Sequence, residues 1–240
     1  GGAATATAAG AVAARPGSPG AGVSAVPGGA EPGAAGAANR GGVAGVAPTP
    51  PPSERVSGTD PLGEEGRPTA PRDPDLVVTA QGQVGQRTLV AIHDHLRQEL
   101  AQIRDAVRQV AAGRLGAAAA RSLINQLTMR QNYWSLGAFC AAYCRVVSIH
   151  HTIEDEHMFV DLRRADPRLG PVLDRLGEEH EVIAAVLSRL DAALVAMVDS
   201  PDRLDEVRRE VDVLTDALLS HLAYEEAELL EPIGRLALAI

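Results

Sequence analysis

Residues 204–232 read LDEVRREVDVLTDALLSHLAYEEAELLEP. Leu204, Val207, Val211, Leu214 and Leu218 recur at steps of three and four, and Leu229 returns to the same face. That is the period of an amphipathic helix with one side in a core. Two polar residues, His221 and Glu225, interrupt the apolar stripe. They stand one helical turn apart, so an imidazole and a carboxylate are aimed at one point of the core.

The same pattern recurs upstream. Leu173, Leu176, His180, Ile183, Leu187, Leu190, Leu194 and Met197 trace a face with His180 in its middle. A long helix expected from about Ala138 to Arg164 carries Cys140, Tyr143, Val147, His150, Glu154 and Asp161 on one side. Its His150–Glu154 pair repeats the spacing of His221–Glu225. An earlier helix carries Leu89, His93, Leu96, Leu100, Ile103, Val107 and Val110. It ends at the turn signal Gly113–Gly116, and a shorter helical piece is expected near 117–129. Asp166–Pro167 ends the long helix, and Ser200–Pro201–Asp202 opens the last one. No strand pattern competes. The fold class is therefore all-α, an up-and-down four-helix bundle over about residues 85–238.

A buried polar group without a partner costs roughly 2–7 kcal/mol, and a buried charge more. A lone histidine on an apolar face is most often a core residue paired by a hydrogen bond. Six such groups (His93, His150, Glu154, His180, His221 and Glu225), spread over four helices, call for a common partner, and a metal supplies one. His151 adjoins His150 at the edge of the inward face and is a further candidate ligand. His95 lies two residues from His93 and points outward. His157 returns to the face of His150 two turns on, as a neighbour of the site. Glu226 and Asp155 turn away from their stripes, which favours Glu225 and Glu154.

The segments IHDHLR (92–97), HHTIEDEHMF (150–159), EEHEVI (178–183) and SHLAYEEAELLEP (220–232) together resemble the hemerythrin-like, or HHE cation-binding, domain. The likeness covers about residues 88–235. It implies a non-haem di-iron site, two irons per chain with carboxylate and oxo bridges. Glu154 and Glu225 would bridge, and His93, His150, His180 and His221 would be terminal ligands. Oxygen-carrying members bear two histidines four apart on the third helix, whereas here Leu176 precedes His180 and Ala184 follows it. Either His151 replaces the missing imidazole or about two coordination positions stay open. The implied function is binding or sensing of a small ligand such as oxygen, nitric oxide or iron. The alternative is a di-iron oxidoreductase acting on peroxide or a related small oxidant.

Residue types and spacing alone also admit zinc, although structural zinc prefers cysteine and closes at four ligands. A ferritin-like di-iron protein needs Glu-x-x-His on two helices, and only Glu154–His157 fits. A bundle whose polar core merely fixes packing remains the bland alternative. No phosphate loop or nucleophile–base signature appears.

Composition divides the 240 residues unevenly. Of 24 Gly, 16 fall in residues 1–80, as do 12 of 16 Pro, and every His lies beyond residue 92. Residues 1–80 therefore read as a disordered Ala/Gly/Pro-rich tail and spacer, too poor in large apolar side chains to offset ordering entropy. A net charge of −9 disfavours nucleic acid as a partner. No apolar run is long enough to span a membrane. Cys140 and Cys144, one turn apart, are unsuited to a disulfide and fit a reducing, cytoplasmic setting. The start lacks both an initiating Met and a signal-peptide pattern.

Overall fold

The structure is a computed structural model that describes residues 45–113, 116, 141–200 and 203–237. Four rods of helix form the bundle. Helix α1 spans Ala80–Ala111. The second rod is continuous: α2 (Ala141–Ile153), a π-helical turn (Glu154–Met158) and α3 (Phe159–Ala165). A short 3-10 turn, Pro167–Leu169, leads into α4 (Gly170–Asp199), and α5 (Leu204–Leu236) closes the bundle. The described residues contain no strand. The helical piece expected near 117–129 and Cys140 lie outside the described residues, and so does the side chain of Cys144.

Local chemistry sets the ends. Thr79 caps α1, its hydroxyl accepting the Gly82 N–H at 2.9 Å, which satisfies one orphan donor of the first turn. Gly113 ends the same helix at a φ of 67°, a conformation glycine adopts without steric cost. Asp166 stops α3 and caps the 3-10 turn through the Arg168 N–H.

The apolar stripes of α1, α4 and α5 are buried as their periods require, except Val110 and Leu204 at helix ends, which are half-buried. The second rod departs from expectation at its middle. A π turn takes one residue more than an α turn, so the buried stripe moves on by one position beyond Glu154. Leu162 is fully buried where Asp161 was expected, and Asp161 is exposed. His157 is likewise exposed rather than beside the site. An uninterrupted α period cannot foresee that shift.

Two apolar clusters fill the bundle. One gathers Leu96, Leu100, Ile103, Leu190, Val211 and Leu218, among others. The other gathers Leu89, Phe159, Leu162, Leu173, Leu176 and Ile233. The polar residues of the stripes lie in the register between them. At one end α1 and α5 approach so closely that a Cβ on Gly82 would meet the Gly234 carbonyl oxygen at 2.1 Å. Gln86 fastens this crossing, its side-chain N–H donating to the Leu230 carbonyl at 2.6 Å.

Residues 45–79 do not behave as the spacer that composition suggests. They are placed against α5, held by polar contacts together with a few apolar anchors: Leu62, Ala70 and Val78 are buried, and the first two join the apolar clusters. Asp216 accepts the backbone N–H groups of Val56 and Ser57, and Glu228 accepts that of Ala70. Arg72 donates to Glu228 and to the Ala227 carbonyl. Tyr224 donates its hydroxyl to the Pro68 carbonyl at 2.7 Å. This strap explains why α5 is buried on nearly every side and why Asp216, Ser220 and Glu228, on its nominally polar face, are buried too. An entropy argument from composition does not count the backbone donors that find carboxylates over 45–79, nor the few apolar side chains there that reach the clusters. Residues 1–44 lie outside the described residues.

Candidate metal centre

The bundle brings all seven candidate residues into one buried site. Ligand-type atoms of His93, His150, Glu154 and Glu225 all lie within 4.8 Å of one another, and so do those of His151, His180 and His221. Each group is able to hold a metal ion. Helix α1 contributes His93, the second rod His150, His151 and Glu154, α4 His180, and α5 His221 and Glu225. His93, His221 and Glu225 are each 0% exposed.

The two carboxylates stand between the two groups. Glu154 places Oε1 3.1 Å from His150 Nε2 and Oε2 3.6 Å from His180 Nε2. Glu225 Oε2 lies 3.3 Å from His93 Nε2 and 3.8 Å from His221 Nε2. In the second group His180 Nε2 and His221 Nε2 are 3.2 Å apart. Ligand bonds of about 2.1 Å at right angles set two donor atoms about 3 Å apart, so these spacings suit atoms that share a cation.

Orphaned atoms argue the same way. Among the described residues, eight buried side-chain nitrogen or oxygen atoms lack a hydrogen-bond partner, and seven belong to this site. They are Nε2 of His93, His150 and His151 and both oxygens of Glu154 and of Glu225. The eighth, Glu99 Oε2, lies elsewhere on α1 beside His95. Left empty, such a cluster would cost far more than a small core can absorb. The residues present fit a pair of divalent or trivalent metal ions.

Charge states fit for three of the imidazoles; at His93 burial works downward, but Glu225 and Glu226 outweigh it and raise the ring above the ordinary histidine value, a proton whose place a cation would take. Burial, followed by repulsion from its histidine neighbours, keeps His151 well below the usual histidine range. Burial pushes His150 down to about 3 and also lowers His221. Neutral imidazole is the form that ligates. Burial, with Glu225 close by, raises Glu154 well above the usual carboxylate range. A cation between the two carboxylates relieves that repulsion.

An outer shell of carboxylates orients the rings. His93 donates from Nδ1 to Glu226 at 2.9 Å, His180 to Asp155 at 3.0 Å, and His221 to Glu179 at 3.1 Å. Each bond fixes the tautomer, leaving a bare Nε2 toward the centre. Sequence reasoning turned Glu226 and Asp155 away from the stripes and gave Glu179 no role. Glu226 is in fact fully buried. A signal was available, since all three directly adjoin a candidate ligand in sequence. His180 is further held between two rings, stacked with His151 at 3.9 Å and with Phe159 at 5.6 Å. His95 is 62% exposed, on the outer side of α1 as its spacing from His93 requires.

Among the described residues no helix is long and apolar enough to cross a membrane. No curated protein and no solved structure gives a significant match to the chain. The family model described as Hemerythrin HHE cation binding domain matches residues 84–233. That span holds every residue of the two groups, and the chain belongs to this family.

Proposed function

We propose that this member of the hemerythrin family holds two irons and uses them to bind or sense one small ligand, with oxygen and nitric oxide the leading candidates. The observation that carries this reading is the place of His151. It joins His180 and His221, so one group has three imidazoles, the other two (His93 and His150), and two carboxylates stand between them.

If Glu154 and Glu225 each gave one oxygen to each ion, beside one oxygen bridge, the five imidazoles would leave about one of twelve octahedral positions free. The group of His93 and His150, with two imidazoles to the other's three, is the one that would have it. Bound there, the iron pair supplies reversible coordination and electron exchange for a small ligand. The chain's own residues do the rest. Glu226, Asp155 and Glu179 hold the rings in register through their Nδ1–H groups. The apolar clusters on either side limit water at the centre. A site with a single opening and little water suits binding better than turnover of an oxidant.

The test is iron quantification after anaerobic loading of the full chain with ferrous iron, followed by optical spectra with oxygen, nitric oxide or peroxide. The expected result is two irons per chain and reversible spectral change on adding and removing oxygen or nitric oxide. Rapid gas evolution with peroxide would move the assignment to an oxidoreductase. Absence of iron would overturn the metal reading altogether.

A further inference from the structure

Two contacts of the 45–79 strap end on the carboxylates that hold ligand-type histidines, one in each group. The Thr49 N–H donates to Glu226 Oε2 at 2.7 Å, while Glu226 Oε1 accepts His93 Nδ1–H. Arg67 donates from Nε to Glu179 Oε1 at 2.8 Å and from Nη2 to Oε2 at 2.9 Å. That same Oε2 accepts His221 Nδ1–H. Building on the iron reading above, we infer that Arg67 is a positioning residue of the metal centre, acting through Glu179 on His221, and that the strap is thereby a working part of the site.

Neutralising Glu179 does not by itself require the strap. Arg175, one turn earlier on α4, already donates to Glu179 Oε1 at 3.0 Å. What Arg67 adds is a donor on the oxygen that His221 uses. Its placement is fixed from several sides. The guanidinium lies 4.5 Å from the centre of the Tyr224 ring, Nη1 donates to Ser220 at 2.9 Å, and Tyr224 itself bonds to the adjoining Pro68. Planar guanidinium against carboxylate is a fork that lysine cannot reproduce.

The consequence has a direction. A carboxylate accepting Nδ1–H raises the donor strength of the opposite ring nitrogen. Arg67 draws charge from that carboxylate oxygen and so moderates the effect on His221. Without Arg67, Glu179 pulls harder on the His221 proton, His221 becomes a stronger donor, and the oxidised iron pair is favoured. The reduction potential of the centre then falls.

The experiment compares the full chain with Arg67→Ala, Arg67→Lys and Arg72→Ala, each loaded with ferrous iron alone. Arg72 anchors the same strap, but to Glu228 and the Ala227 carbonyl, away from any candidate ligand. The expected result is a lower potential and an altered charge-transfer spectrum for Arg67→Ala, a partial return in Arg67→Lys, and no change in either for Arg72→Ala. Iron affinity should fall about 10-fold in Arg67→Ala, the low end for outer-shell partners. Urea unfolding of all three separates this from a merely structural role, which would lower stability and leave the potential alone. An unchanged potential in iron-loaded Arg67→Ala overturns the inference, as does an equal shift in Arg72→Ala. If Arg67→Ala does not fold, a potential in Arg67→Lys equal to that of the parent does the same. A parent chain that takes up no iron instead overturns the reading on which this one rests.

Discussion

His151 lies flat against His180, ring centres 3.9 Å apart and planes 8° from parallel, so the second rod supplies to this group an imidazole that α4 lacks. A histidine one residue from His150 thereby joins the other group of ligand-type atoms.

His151→Ala should reduce iron from two per chain toward one and change the oxidised spectrum, because the His180–His221 group loses a third of its imidazoles. Adding Leu176→His to that variant places an imidazole one turn before His180 on α4 and should recover part of the second iron. Iron analysis with absorption spectra reads both. Full occupancy and a parental spectrum in His151→Ala would return the site to two open positions.

His93→Ala should cut iron occupancy by well over the 10-fold typical of an outer-shell change, whereas His95→Ala should leave it unaltered. The helical period sends the two rings to opposite sides of α1. Equal losses from both variants would contradict the burial found for the two residues.

Gly82→Ala should destabilise the chain by about 1–3 kcal/mol, the usual cost of overpacking. The new methyl would meet backbone of Gly234, which cannot rotate aside as a side chain would. Urea unfolding at fixed iron content measures it. A variant as stable as the parent would show that the α1–α5 crossing yields easily.

Deleting residues 1–79 should lower stability by about 3 kcal/mol or more, since several charge-assisted hydrogen bonds are lost at about 1.5–3 kcal/mol each while water replaces part of them. Glu179, Asp216, Glu226 and Glu228 all lose strap donors. Composition alone gives the opposite expectation, a truncation without effect. Thermal unfolding and iron content of the shortened chain decide between them.

Asp166 gives a pH dependence with a defined sign. Arg168, helped by Arg235, holds its carboxyl well below the usual range, against the opposing effect of burial. A lowered folded-state pKa means stability present above the unfolded value of about 3.9 and lost as pH falls through the folded one. Asp166→Asn should therefore cost about 1 kcal/mol near neutrality, kept small because Arg168 is largely exposed and screened, and progressively less below about pH 4. A cost that grows as the pH falls would reverse the assignment.

The sequence by itself determined the bundle and most of its centre. Apolar steps of three and four on α1, α4 and α5 admit one buried face each, and a histidine or glutamate on that face has nowhere to go but inward. That reasoning places His93, His150, Glu154, His180, His221 and Glu225 in the core, where they are buried. Only the tertiary structure decided what depends on neighbours distant in sequence. The π turn at Glu154–Met158 shifts the stripe of the second rod, exposing His157 and Asp161, because one extra residue in a turn leaves no mark on local composition. His151 gained its place from the approach of α4, which brings the His180 ring against it. Glu179 and Glu226 became partners of the histidines, and residues 45–79 became part of the molecule, through hydrogen bonds spanning from 40 to 177 positions. Periodicity reports which side of a helix is buried; it carries no information about which donor, far along the chain, arrives to meet a buried carboxylate.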